Sequence, residues 1–256
     1  MLIEAIIIVA LIVGSYLLGN VNFAVLISKL KKSDVRDVGS GNPGTMNMIR
    51  NYGKFIGAVT LIADVAKGAI PSLIGWLVVG GIGFGESRLI GGIFMDAPPR
   101  LGAYIAGFSV ILGHVFPVFF KFKGGKGIAT ALGVGLIAQP LIAPLAFGFG
   151  ALFIHLTKLG ALGSFSIISM PLAVEAFMLS RGVSNALDVG QTLSYAYIAL
   201  ASIILIFCMF MFTLFTHRKN IVNLFSGTEH RTLIWGKEAK AAKEAKRKLL
   251  EEQQNL

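Results

Sequence analysis

The chain has little charge and almost no cysteine. Only 14% of its 256 residues are charged, and acid is the scarcer sign, with 13 Asp and Glu against 23 Lys and Arg. A soluble domain carries roughly 25% charged residues, so this chain cannot cover a water-facing surface. The one cysteine, Cys208, sits in an apolar run and excludes a disulfide framework or a Cys-rich metal site. No acidic cluster offers metal ligands, no order of Ser, His and Asp suggests a nucleophilic triad, and no cofactor is called for. What is abundant is apolar matter: 55% of residues are hydrophobic, 19 of them Phe, and the mean hydropathy is +0.75. Disordered chains are polar and poor in aromatics. The composition points to a polytopic membrane protein, in which a net charge of +10 records orientation rather than nucleic-acid binding.

Apolar runs cover residues 2–19, 55–80, 101–119, 128–157, 159–180 and 190–216, and a helix needs about 20 residues to cross the hydrocarbon core. The first run has Glu4 near its start and lacks a basic n-region and a small-residue cleavage pattern, so it reads as a retained span. Three polar segments, 29–54, 114–126 and 217–231, are rich in Lys or Arg and belong in the cytoplasm. One span per run leaves the second and third segments on opposite sides. The run 128–157 resolves this, because it is 30 residues long and holds Pro140 and Pro144, each without a backbone donor. Two short helices with a hairpin near 139–144 restore the parity. The expected fold is therefore an all-α integral membrane protein of seven transmembrane helices, N-terminus outside and C-terminus cytoplasmic. Nineteen of the 23 basic residues then face inward; Arg88, Arg100 and Arg181 fall in outer loops and Lys67 within a span. Residues 1–235 read as a single membrane domain. Residues 236–256 read as a charged cytoplasmic tail of strong helix formers. No internal repeat is visible.

The three polar segments are suited to phosphate. Residues 39–50 read GSGNPGTMNMIR. Their small residues let a ligand approach the backbone, Ser40, Asn42, Thr45 and Asn47 supply neutral donors, and Arg50 supplies an anion fork. The same residues also make ordinary interhelical turns. Residues 113–130 read GHVFPVFFKFKGGKGIAT, with Gly125 and Gly127 flanking Lys126 just before a helix, which brings amides, a helix N-terminus and a cation together. Gly127 stands where a Walker loop needs Ser or Thr, so no nucleotide is expected. Lys121 and Lys123 read as boundary markers, and His114 as a residue that orients the loop. Residues 217–231 read HRKNIVNLFSGTEHR; His217 and Asn220 share a helix face, Arg218 and Lys219 read as stop-transfer charges, and His155 and His230 are given no role. Within the membrane, Asp64 and Lys67 are three apart on the second span, either as a structural pair or with one facing the site. The residues alone imply a membrane protein that handles a phosphorylated molecule at its inner face, with Arg50 and Lys126 as fixed charges.

In this order and spacing, GSGNPGTMN with Arg50, GH..PVF..FKGGKG.AT, H..NI..L..GTE and the DVAKG of residues 64–68 resemble the bacterial acyl-phosphate:glycerol-3-phosphate acyltransferase family (PlsY). The resemblance runs from about Gly14 to Glu229. It implies a seven-helix enzyme of the bacterial cytoplasmic membrane, its site facing the cytoplasm. Its substrates would be acyl phosphate and glycerol 3-phosphate, and its products lysophosphatidic acid and phosphate in the first step of phospholipid synthesis. Carried onto this sequence, Ser40, Asn42, Asn47 and Arg50 line a phosphate region, Gly125, Lys126 and Gly127 form the second motif with Lys126 on substrate phosphate, and His217, Asn220 and Glu229 orient glycerol 3-phosphate. Three positions depart from the family pattern. Met46 replaces the usual Thr, leaving Thr45 one position earlier; Asn22 stands where Pro usually precedes Phe; and Ala161 replaces a Ser, leaving Ser164 to donate. A non-enzymatic carrier of anions or lysolipids built on the same basic cavity is the alternative of a different class.

Overall fold

The computed structural model describes residues 2–81, 97–189 and 193–228. Every regular element there is a helix. In chain order these are α1 (Leu2–Gly19), α2 (Phe23–Leu30), α3 (Thr45–Tyr52), α4 (Lys54–Gly81), α5 (Ala97–Val115), α6 (Ile128–Ala138), α7 (Ile142–Thr157), α8 (Gly160–Val189), α9 (Leu193–Thr216) and α10 (Arg218–Phe225), with a short 3-10 turn at Val118–Phe120.

The long run divides where the prolines stand. α6 stops at Ala138 and α7 resumes at Ile142; Pro140 lies in the gap, and Pro144 occupies the first turn of α7, where a helix has no use for its amide. Pro71, by contrast, does not open α4, which continues through it. The C-terminal end of α1 leads through Asn20 and Asn22 into α2, and Asn22 caps that helix by accepting the Val25 amide at 3.1 Å. Among the described residues, four helical stretches are long and apolar enough to cross a membrane: Leu2–Leu30, Lys54–Gly80, Pro99–Phe120 and Gly160–Met178. A fifth arises if Leu200–Thr216 and Arg218–Phe225, bent by 60°, count as one. At 1.5 Å per residue α6 and α7 reach about 17 and 24 Å, short of a hydrocarbon core of about 30 Å.

Helix α4 is the hub, packing on α5, α6 and α3. Close approach rests on missing side chains: a Cβ on Gly75 would lie 2.2 Å from the Gly102 carbonyl oxygen on α5, and one on Gly68 would lie 2.0 Å from the Thr130 carbonyl oxygen on α6. Small residues of this kind let helices pack where lipid offers no hydrophobic drive. Apolar side chains such as Val9, Ile62, Leu77 and Phe149 remain exposed on the outside, as a lipid-facing surface requires.

Two assignments from the sequence are corrected. Arg181, expected in an outer loop, falls within α8. Arg100, expected in an outer loop, lies inside α5 and is 6% exposed. It is drawn inward by Glu175 of α8, with Nη1 3.2 Å from Oε1. Tyr104 donates to Glu175 Oε2 at 3.1 Å, and Gln139, at the end of α6, donates to the same oxygen at 2.7 Å. The network ties α5, the α6–α7 break and α8 together. Removing one partner of a buried ion pair strands the other and costs about 3–5 kcal/mol. Glu175→Ala is expected to lower the thermal unfolding temperature of the purified protein markedly, while Val9→Ala on the lipid face leaves it nearly unchanged.

Candidate active site

The three polar segments close on one cavity of about 1540 Å³. Ser40, Asn42, Thr45, Asn47 and Arg50 line it from the first segment, Gly125, Lys126 and Gly127 from the second, His217 and Asn220 from the third, and Ser164 from α8. Glu229 lies outside the described residues, as does the tail 236–256.

The first segment is held by one buried amide. Asn47, 1% exposed, donates from Nδ2 to the carbonyls of Val35 at 3.0 Å and Val38 at 2.9 Å. Its Oδ1 accepts from the Ser40 amide at 3.1 Å and from Asn51 at 2.9 Å. Gly39 takes φ +61°, and a Cβ there would lie 2.4 Å from Asn47 Oδ1, so only glycine lets the loop close on this amide. Asn47 therefore shapes the loop that presents Ser40. Arg36 clamps Asp34, Nη2 to Oδ2 2.6 Å apart, and reaches the Phe120 carbonyl of the second segment at 3.3 Å. The guanidinium beside Asp34 holds its carboxyl down at about 2, so the clamp persists through the neutral range. Thr45, first residue of α3, keeps a buried hydroxyl with no hydrogen-bond partner at the cavity wall, next to Met46.

The second and third segments meet at Lys126. Gly127 takes φ +86° as the N-cap of α6, a left-handed position that turns the chain immediately after the lysine. Lys126 Nζ donates to Asn220 Oδ1 on α10; Thr216, at the end of α9, donates to the Lys126 carbonyl at 3.3 Å. His217 sits at the α9–α10 bend and is 3% exposed. Its Nδ1 lies 2.9 Å from the Thr213 carbonyl, which can only accept, so Nδ1 carries the proton and the neutral ring keeps its lone pair on Nε2. Phe165 of α8 packs edge-on against this ring, centroids 5.5 Å apart. Ser164 spends its hydroxyl proton on the Gly160 carbonyl at 3.0 Å, leaving an acceptor toward the cavity. Lys121 and Lys123 are exposed at its rim. Among the described residues no group of His, Cys, Asp and Glu could hold a metal ion.

The chain as a whole matches known proteins. The family model described as glycerol-3-phosphate acyltransferase matches residues 9–227. The chain belongs to that family. It is 36% identical over 224 residues to the glycerol-3-phosphate acyltransferase of Laribacter hongkongensis, covering 87% of this chain and 95% of the relative. It is 35% identical over 221 residues to that of Aquifex aeolicus, covering 86% and 97%. Among solved structures, the glycerol 3-phosphate form of PlsY, an integral membrane glycerol 3-phosphate acyltransferase, matches with a TM-score of 0.66 at 29% identity, covering 91% of this chain and 98% of that one. Its lysophosphatidic acid form matches with a TM-score of 0.63. The chain is thus an integral membrane protein of helical fold.

Two features of the cavity were not legible in the sequence. The Asp34–Arg36 clamp joins the first segment to the second, and His114 reaches the cavity wall; Asp64 does so as well, one of the two roles the sequence left open for the Asp64–Lys67 pair. Stranding four hydrogen-bonding groups by Asn47→Ala is expected to destabilise the protein by more than the about 1–3 kcal/mol that a single stranded buried group costs. It is also expected to raise the KM for glycerol 3-phosphate more than it lowers kcat, read from initial rates and a thermal melt of one preparation.

Proposed function

We propose that this glycerol-3-phosphate acyltransferase takes its acyl group from acyl phosphate, at a site open to the cytoplasm. The chain transfers an acyl group to glycerol 3-phosphate, giving lysophosphatidic acid; the donor, the residue roles and the orientation belong to the proposal. The observation that carries it is the convergence of Arg50, Lys126 and His217 on one cavity, with Lys126 fixed by Asn220. Two phosphorylated substrates need two anion-binding groups near one reacting centre, and a fixed lysine and an arginine supply them. The apolar side chains of Phe147, Ile154 and Ile167 continue the cavity wall and suit an acyl chain.

Acyl phosphate is a mixed anhydride with a good leaving group, so no covalent enzyme intermediate is needed. The 1-hydroxyl oxygen of glycerol 3-phosphate attacks the carbonyl carbon, the bond from that carbon to the phosphate oxygen breaks, and the hydroxyl proton passes to a phosphate oxygen. Lys126 and Arg50 neutralise charge and hold the reactants in line, Ser40 and Asn42 donate to phosphate oxygens, and Asn220 and Glu229 orient the glycerol. The enzyme's contribution is positioning and electrostatics. His217 as general base is the second reading, favoured by the lone pair that its Thr213 bond leaves on Nε2.

The same reading has seven spans, the N-terminus outside and the C-terminus in the cytoplasmic compartment of a bacterial cell. The short α6 and α7 cross as a pair, residues 1–235 form one domain and 236–256 a cytoplasmic tail. Two experiments test it. Lys126→Ala and Arg50→Ala are expected to lose on the order of 100-fold or more in kcat/KM, while His217→Gln keeps near-normal turnover under direct attack. A loss of similar size in His217→Gln establishes the base reading instead. With Cys208 replaced by Ala, Leu141→Cys and Lys158→Cys are expected to label from opposite faces in oriented vesicles; labelling from the same face contradicts the split of residues 128–157.

A further inference from the structure

Behind the glycine turn that presents Lys126 lies a buried ionic cluster with no part in the chemistry above. Lys67 of α4 is 3% exposed, Asp64 2% and His114 of α5 3%. The Lys67 ammonium donates to the Val21 carbonyl and to His114 Nδ1, each at 2.8 Å, and is ion-paired with Asp64, Nζ 3.1 Å from Oδ1. Asp64 Oδ1 stands 3.7 Å from His114 Nδ1, too far for a hydrogen bond. An ammonium has no lone pair, so His114 Nδ1 accepts, and the proton of the neutral ring sits on Nε2.

That Nε2–H has no hydrogen-bond partner among the described residues, and it faces the site. The ring presses on the turn: a Cβ on Gly125 would lie 2.2 Å from Nε2 and 3.0 Å from the Pro43 carbonyl oxygen. The turn is pinned to the same end of α5, with the Gly124 amide donating to the Val115 carbonyl and the Gly125 amide to the His114 carbonyl, each at 3.1 Å. His114, Asp64, Pro43 and Gly125 all line the cavity. A neutral donor thus stands beside the lysine, with its tautomer dictated from behind by a second lysine.

We propose that His114 is a further substrate-touching residue of the acyl transfer, its Nε2–H donating to an oxygen of the phosphate group that Lys126 binds. Lys67 and Asp64 are positioning residues that act through it, since they fix which nitrogen carries the proton. Lys67, held by Val21, His114 and the Asp64 carboxylate, is not among the residues that line the cavity. The proposal rests on the reading of Lys126 as a phosphate ligand. The phosphate comes either from the acyl donor or from glycerol 3-phosphate, and both present the same anionic oxygens.

The primary readout is taken on the wild-type protein. The chain has four histidines, so the full-length protein labelled with 15N-histidine gives a sparse spectrum in detergent micelles, and comparison with His114→Gln assigns His114. The expected result is a neutral His114 protonated at Nε2, whose Nε2 resonance moves on saturation with inorganic phosphate, standing for the donor's leaving group, or with glycerol 3-phosphate; the probe that moves it identifies the source. A proton on Nδ1, or no movement with either probe, overturns the proposal. In the same preparation, His114→Phe is expected to lose roughly 100-fold in kcat/KM, the scale of one transition-state donor. His114→Gln, which returns an N–H near Nε2, is expected to stay within about tenfold of wild type. Equal losses in Phe and Gln, or full activity in Phe, also overturn it. Failure of the acyl-phosphate reading looks different: wild-type protein inactive with that donor, while the nitrogen spectrum still reports whether His114 meets phosphate.

Discussion

Backbone that is not helical survives in a membrane protein only where other protein groups or water satisfy it, and the site depends on that constraint. The chain leaves its long helices after α2, after α5 and after α9, and each departure frees amides and carbonyls that lipid cannot serve. The three segments serve one another. Arg36 of the first reaches the Phe120 carbonyl of the second, and Thr216 of the third reaches the Lys126 carbonyl. What they enclose is a cavity whose polar part is lined by amides, hydroxyls and a few cations and whose wall continues in apolar side chains. The same requirement that forbids loops in lipid gathers the loops into a site.

Placement of charge follows the same logic. Lys126 is held in place at the cavity wall by the neutral Asn220, which accepts from its ammonium. Lys67, which lies deeper, is paired with Asp64 and saturated by two further acceptors, as a buried cation must be. Asn47 is the neutral counterpart, an amide whose donors and acceptor are consumed in shaping the loop around Ser40. Thr45, His114 and His217, at the cavity wall, are among the described groups whose hydrogen-bonding capacity the protein leaves partly open.

Much of this was readable from one sequence, for identifiable reasons. Apolar runs mark helices because lipid-facing and buried residues are alike nonpolar, and Pro140 marked the α6–α7 break because it has no amide to give. The three motifs stood out as Gly, Asn and Lys in otherwise apolar surroundings. Contacts between distant residues were not readable. Asp64 and Lys67 are three apart, so a pair was one of the two roles their spacing offered, whereas His114, 47 residues beyond Lys67, could not be joined to them. Arg100 looked like a loop residue because Glu175, its partner, stands 75 residues away in an apolar run. Asn47 looked like a substrate donor, since its type tells nothing of where its amide is spent.

The central claim is that the cavity joins acyl phosphate and glycerol 3-phosphate directly. The most direct measurement is phosphate release by purified protein given acyl phosphate, with and without glycerol 3-phosphate, alongside the lysophosphatidic acid formed. Release that requires glycerol 3-phosphate and equals the lysophosphatidic acid produced is the predicted result. No release, or release indifferent to glycerol 3-phosphate, contradicts the claim.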